Sequence, residues 1–229
     1  MYSLMEHNTS LPLVNEDAQV SVDHIGESKN RVIIIDNVLK DPDDFLKFIC
    51  SVPIPLTEDG FPGYQQRVNY KFPQLRVLLS NLAQQHYGID EREPKFNINR
   101  FDGNHTQRRR CTYPHVDLDC SLAANIYLTE ELDGRSGTAF YRHKRSNMEY
   151  RPVFNAKYRY DQYEAVTNDD PEEFVKYVPI IDNEDFLMYN LIEGKYNRFV
   201  MYESALFHNL FVEAGAYESF TRDTLTMFI

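Results

Sequence analysis

Lys95-Phe-Asn-Ile-Asn-Arg-Phe101 alternates, with Phe96 and Ile98 interleaving with Asn97 and Asn99. A period of two places alternate side chains on opposite faces, the pattern of a strand with one buried side. From here to the end the chain reads as a series of such strands. Asp102-Gly103-Asn104 is a turn. Ala123–Thr129 is a strand that ends before Asp133-Gly134, and Thr138–Tyr141, Arg198–Tyr202, His208–Val212 and Thr221–Ile229 follow it. Toward the N-terminus, Arg31–Asp36 is an apolar, β-branched run that reads as a buried strand. Asp41 is placed to cap a helix, Pro42 suits its first turn, and Phe45, Leu46, Ile49 and Cys50 carry helical spacing to Ser51. Residues 52–71 hold three prolines and two glycines and read mostly as loop. Gln74–Tyr87 is a second helix with a leucine stripe and Gly88 at its end.

Two helices ahead of many short strands predict a mainly β protein with flanking helices, an α+β or all-β domain of sandwich type. Residues 1–30 read as a polar N-terminal arm, and residues 31–229 as a single domain. Residues 142–185 form a Tyr-rich, charged insertion with a short helix expected over Pro171–Tyr177.

The chain has 229 residues, of which 42% are hydrophobic and 26% charged, a globular rather than a disordered balance. No apolar run approaches the roughly 20 residues that span a bilayer, so no membrane role is expected. The first residues carry no basic-then-apolar leader, and Cys50, Cys111 and Cys120 form no C-x-x-C pair. Free thiols and a cytoplasmic location are the expectation. The net charge is −11, which is unsuited to a nucleic-acid partner. The exception is Arg108-Arg109-Arg110, either a solvated loop or a handle for an anionic substrate.

Three stretches bear chemistry. In Pro114-His115-Val116-Asp117 the two-residue spacing lets an imidazole and a carboxylate reach one point, as a first-row divalent metal requires. A surface His–Asp pair or a capped turn gives the same pattern. His208 lies on the apolar stretch Ala205–Phe211, where a histidine is either a satisfied core residue or a ligand. Arg222 opens the last strand and shares a face with Thr224 and Thr226. It is either a rim residue in water or a fixed cation, flanked by hydroxyls, for a carboxylate. Asn125 and Tyr127 share a face of their strand, and Tyr127 is either a core aromatic or a phenol for the same carboxylate.

Taken in order, His115-Val116-Asp117, Asn125–Thr129, the Gly134–Gly137 turn, Asn197–Tyr202, His208 and Arg222 resemble the core of the Fe(II)- and 2-oxoglutarate-dependent oxygenases. The prolyl-4-hydroxylase-like branch, with its uncharacterised bacterial members, is the nearest type, and Ile35–Leu39 with its following helix is similar to that branch's entry. The resemblance covers residues 31–229. It implies a double-stranded β-helix (jelly-roll) core with the N-terminal helices packed on one sheet. It implies His115, Asp117 and His208 as metal ligands, with Arg222, Tyr127, Thr224 and Asn125 around 2-oxoglutarate. It implies hydroxylation of an amino acid, a peptide or another polar metabolite, with release of succinate and CO2. Three features depart from the branch: a longer interval from His208 to Arg222, Phe101 in place of a tyrosine, and the 142–185 insertion. Two other readings remain: a non-catalytic metal- or ligand-binding jelly roll, and a zinc hydrolase on the same three ligands. The second has no use for Arg222 and Tyr127.

Overall fold

The computed structural model describes residues 11–54, 56–57, 63–68, 71–90, 93–103, 106–108, 112–117, 120–151, 174–216 and 221–229. Its strands are β1 (Val20–Ile25), β2 (Asn30–Ile35), β3 (Leu56–Thr57), β4 (Gly63–Val68), β5 (Lys95–Phe101), β6 (Thr106–Arg108), β7 (Leu122–Tyr127), β8 (Ser136–His143), β9 (Phe174–Lys176), β10 (Phe186–Glu193), β11 (Phe199–Glu203), β12 (His208–Val212) and β13 (Arg222–Phe228). The helices are α1 (Pro42–Ser51) and α2 (Pro73–Leu82). The strands form an eight-stranded sheet in the order β1-β2-β11-β7-β13-β5-β4-β3, a three-stranded sheet β10-β8-β12, and a small β6-β9 pair. Every strand pairing among the described residues is antiparallel. Antiparallel sheets facing one another make this a β-sandwich type of molecule.

Alternation decides what each face of the large sheet meets. Ile33 and Ile35 of β2, Phe96 and Ile98 of β5, Ala124 and Ile126 of β7, and Leu225 and Met227 of β13 share one buried cluster with Phe45 and Ile49 of α1 and Leu75 and Leu79 of α2. Each such side chain contributes roughly 1.5–3 kcal/mol when fully buried. On the opposite face Val32, Ile34, Ala123, Tyr127, Val200 and Tyr202 join Phe140 of β8 and Ile192 of β10 in a second cluster. That second face is apolar only over part of its width. On β5 and β13 it carries Asn97, Asn99, Arg222, Thr224 and Thr226, which line a cleft. The site therefore lies between the sheets, where the apolar filling stops.

Several local expectations change. The arm expected over residues 1–30 includes β1, an edge strand in full register with β2. Its first five residues are exposed, so backbone pairing holds it rather than side-chain burial, and the Val20/Val22 alternation is short and faces solvent. The loop expected over 52–71 includes β4, a polar strand paired with β5. The helix expected over Pro171–Tyr177 is not seen where the chain is described, because Phe174–Lys176 is strand β9 against β6. Asp41 makes no side-chain capping bond to α1, although Pro42 does occupy its first turn. The second helix leaves α-geometry at Leu82 and closes as a π-helical turn, Ala83–Tyr87, ending at Gly88 with φ +65°. Residues 152–173 of the insertion, together with Arg109, Arg110 and Cys111, lie outside the described residues. Cys50 and Cys120 are free thiols.

Candidate metal and dicarboxylate site

His115 and His208 face each other as one antiparallel residue pair, each N–H bonding the other's carbonyl at 2.9 Å. The pairing brings the two imidazole centroids to 4.7 Å. Two residues on, the Asp117 N–H bonds the Ser204 carbonyl at 3.0 Å, which keeps the segment extended. The two-residue period then turns the Asp117 carboxylate to the same side as His115. His208 Nε2 lies 3.3 Å from Asp117 Oδ2, and one ligand atom from each of the three residues lies within 4.8 Å of the other two.

The second nitrogen of each ring sets its tautomer. His208 Nδ1 sits 2.8 Å from the Leu206 carbonyl and His115 Nδ1 sits 3.3 Å from the Tyr113 carbonyl. A carbonyl accepts only from a protonated Nδ1, which in a neutral ring leaves Nε2 its lone pair for a metal. Burial, aided by the neighbouring His208, lowers the pKa of His115 and keeps it neutral. Burial alone would raise Asp117, but its contact with His208 outweighs burial, and the net shift of the carboxyl is downward. Neutral imidazole and ionised carboxylate are the ligating forms. Two nitrogens and a carboxylate oxygen gathered on one side fit a first-row divalent ion with open positions opposite.

The same cleft, about 290 Å³, is also lined by Arg222, Thr224, Asn125 and Thr138. Arg222 is 4% exposed. Its Nη2 donates to the Gly137 carbonyl at 3.3 Å, its Cζ lies 5.2 Å from the Tyr127 ring centre, and its Nε has no partner. Among the described residues no carboxylate forms an ion pair with it, and burial lowers its pKa. Thr224, fully buried two residues along the same face, also has an unpartnered hydroxyl. A buried guanidinium nitrogen and a buried hydroxyl without partners are each costly unless a ligand satisfies them. Gly137 lets β10 pair closely beside it, because a Cβ there would run into the Ile192 carbonyl.

Six of the seven residues singled out in the sequence thus line one cleft: His115, Asp117, His208, Arg222, Thr224 and Asn125. Tyr127 is placed differently. It is 2% exposed, and its hydroxyl bonds Thr138 Oγ1 at 2.7 Å, so it supports a residue of the cleft wall and the Arg222 guanidinium. Thr138, Tyr202 and Asn99 escape sequence reading. Tyr202 packs its ring against His208 at 4.9 Å. The available signal for Asn99 is the Asn97/Asn99 alternation on β5, which sets two amides on the face opposite Phe96 and Ile98.

The sequence matches no curated protein. A family model matches residues 16–223 and describes a family of unknown function, DUF6445. Solved structures similar to this chain include the non-heme α-ketoglutarate-dependent epimerase SnoN from nogalamycin biosynthesis. That match has 11% identity, covers 88% of this chain and 79% of the other, and has a TM-score of 0.49. A prolyl 4-hydroxylase structure from Phytophthora capsici matches at 12% identity over 86% and 57% of the two chains, with a TM-score of 0.39. An N-substituted L-amino acid dioxygenase from Burkholderia ambifaria matches at 10% identity over 92% and 94%, with a TM-score of 0.40. Likeness at these identities and scores carries no information about this chain's reaction or substrate.

Proposed function

The chain belongs to DUF6445, a family of unknown function, and we propose that it is an Fe(II)- and 2-oxoglutarate-dependent oxygenase of the prolyl-4-hydroxylase-like type that hydroxylates an amino acid, a peptide or another polar metabolite. The single observation that carries this reading is the pairing of two features in one cleft. A His–Asp–His cluster lies in the same cavity as a buried cation and a buried hydroxyl that both lack partners. A zinc hydrolase would account for the cluster and leave the unpartnered Arg222 and Thr224 without a purpose.

In this reading His115, Asp117 and His208 hold Fe(II) from one side. Arg222 and Thr224 receive the distal carboxylate of 2-oxoglutarate, which satisfies both orphaned groups. Thr138, held by Tyr127, borders the same carboxylate, and Asn125 lies along the body of the cosubstrate. Bound together, Fe(II) and 2-oxoglutarate supply oxidation by dioxygen coupled to loss of CO2 and formation of succinate. The protein's share is to orient the cosubstrate, to keep the metal's remaining positions free, and to exclude water.

The test has two stages. Calorimetric titration of 2-oxoglutarate into the Mn(II)-loaded protein should show one saturable site that requires the metal. Incubation with Fe(II), 2-oxoglutarate and oxygen should then release succinate. Binding without succinate under any substrate screen would favour a ligand-binding protein. Failure of 2-oxoglutarate to bind the metal-loaded chain would overturn the proposal.

A further inference from the structure

The acidic and basic groups described in the cleft are spoken for. His115, Asp117 and His208 form the metal cluster, and Arg222 is the one guanidinium among the described lining residues. The rest of the polar wall is uncharged and mostly amide. It carries a hydrogen-bond chain that crosses four neighbouring strands. Gln65 Nε2 on β4 donates to Asn99 Oδ1 on β5 at 2.9 Å, and Asn99 Nδ2 donates to Thr226 Oγ1 on β13 at 2.5 Å. Thr226 Oγ1 donates in turn to Asn125 Oδ1 on β7 at 2.7 Å.

Every link runs the same way, from the edge of the sheet inward, and this polarity fixes each amide. Asn99 is committed at both ends. Gln65 spends its donor on the chain, so its Oε1 is left as a bare acceptor. The Asn97 side chain lines the same cleft and has no hydrogen-bond partner among the described residues, so it offers both a carbonyl and an NH2. Burial grades along the wall: Asn99 is 2% and Asn125 9% exposed, whereas Gln65 and Asn97 are half-buried. The committed amides form the floor, and the uncommitted ones stand nearer the opening.

We infer that Asn97 and Gln65, braced by the Asn99–Thr226–Asn125 chain, form the substrate-reading wall of this cleft and select an uncharged carboxamide or peptide amide. The inference rests on the oxygenase reading for its premise that the metal cluster and Arg222 are occupied by other ligands. An amide presents an N–H beside a C=O, which matches the acceptor of Gln65 and the donor–acceptor pair of Asn97. A carboxylate has no donor for Gln65 Oε1. An ammonium has no acceptor for the Asn97 NH2. Either charge would also lose its hydration against this wall, whose described residues carry no counter-charge.

The test uses three sets of probes with matched side chains: N-acetyl amino-acid amides (neutral), N-acetyl amino acids (anionic) and amino-acid amides with a free amine (cationic). Each is titrated by calorimetry into the Mn(II)- and 2-oxoglutarate-loaded protein without oxygen. The neutral set should bind about tenfold or more tighter than either charged set. Asn97→Ala should weaken the neutral set by roughly tenfold. Asn97→Asp should shift preference toward the cationic set, and Asn97→Ala should hold the affinity for 2-oxoglutarate within about twofold. Equal affinity across the sets, tightest binding by a charged set, binding by none, or an Asn97→Ala variant that behaves as the unmutated chain would overturn the inference while leaving the oxygenase reading intact. Failure of Mn(II) or 2-oxoglutarate to load would overturn both.

Discussion

A buried guanidinium with a free Nε is a liability to the empty protein and an asset to the liganded one. Arg222→Met removes a charge that costs desolvation energy and has no carboxylate beside it. Replacing buried charge by an apolar residue of similar size is often neutral or stabilising by about 1–4 kcal/mol. The melting temperature of the metal-free, ligand-free variant should therefore equal or exceed that of the unmutated chain. Its affinity for 2-oxoglutarate should fall by about two to three decades, the cost of roughly 3–5 kcal/mol for losing one partner of a buried ion pair. A variant that melts lower and binds 2-oxoglutarate normally would show that Arg222 is a structural residue. Thr224→Val should follow the same pattern on a smaller scale, losing roughly 1.5–3 kcal/mol of 2-oxoglutarate binding with no loss of fold stability. Tyr127→Phe should act mainly on the fold, because it loses the hydrogen bond to Thr138. We expect about 1 kcal/mol of lost stability and a smaller change in 2-oxoglutarate affinity than for Thr224→Val, measured by denaturant midpoint and calorimetry.

The elements are held by different forces, and substitutions should separate them. α2 sits on the large sheet through apolar burial: Leu75 is 0% exposed, within the cluster that also holds Phe96 and Ile98. Leu75→Ala should cost about 2–5 kcal/mol, read from chemical denaturation. One polar side chain ties the turn before β11 to Leu39. Asn197 has φ +61°, receives the Leu39 N–H and donates to the Leu39 carbonyl, both at 2.9 Å. Asn197→Ala would forfeit both bonds and force an alanine into the left-handed region, at about 2–4 kcal/mol. Asn197→Asp should recover part of that loss, since a carboxylate still accepts the Leu39 N–H. If the aspartate variant were no more stable than the alanine variant, the capping role of Asn197 would be wrong. Elements such as α2, β5 and β13 were legible because their apolar residues repeat with the period of the element. β1 and β4 were not. They lie toward the edges of the sheet, and the polar pattern of Gln65-Gln66 on β4 reflects the cleft and solvent rather than a core.

Across the whole molecule, one buried carboxylate ties the two sheets together. Glu149 is 2% exposed and lies just beyond β8. It accepts from the Glu27 and Ser28 backbone N–H groups and Asn30 Nδ2 at the β1–β2 turn, and from Arg142 of β8. Gly26 at that turn, φ +70°, leaves the space the carboxylate occupies. Burial alone would raise the Glu149 pKa. The Arg142 hydrogen bond and the two backbone donors outweigh it, and the net shift is downward from the ordinary 4.5. A carboxyl lowered on folding contributes stability that is present above its unfolded pKa and lost as pH falls through the folded one. Asp223 has the opposite sign. Burial raises its pKa against the pull of Arg100, so its protonation on acidification favours the fold and offsets part of the loss. Stability should therefore fall below about pH 4.5, with Glu149→Gln showing a shallower fall from a lower plateau. Melting temperatures at pH 3–7 for the two proteins check this, and parallel curves would remove Glu149 as the cause.

The order of residues alone determined which side chains share a face. His115 with Asp117, Arg222 with Thr224 and Thr226, and Asn125 with Tyr127 all follow from a period of two, which is local geometry and needs no partner strand. Tertiary structure decided what those faces meet. The doubly bonded pairing of His115 with His208 spans residues 93 apart along the chain and sets the metal cluster. The register of β13 between β5 and β7 lines Thr226 up with Asn125 and Asn97, and Thr224 with Asn99 and Tyr127. Tyr127 is the clearest case. Its face was legible, but whether its hydroxyl reached a ligand or a neighbour depended on where Thr138 of the opposing sheet would stand. That position is set by packing between sheets, a contact between distant segments that no spacing within either one encodes.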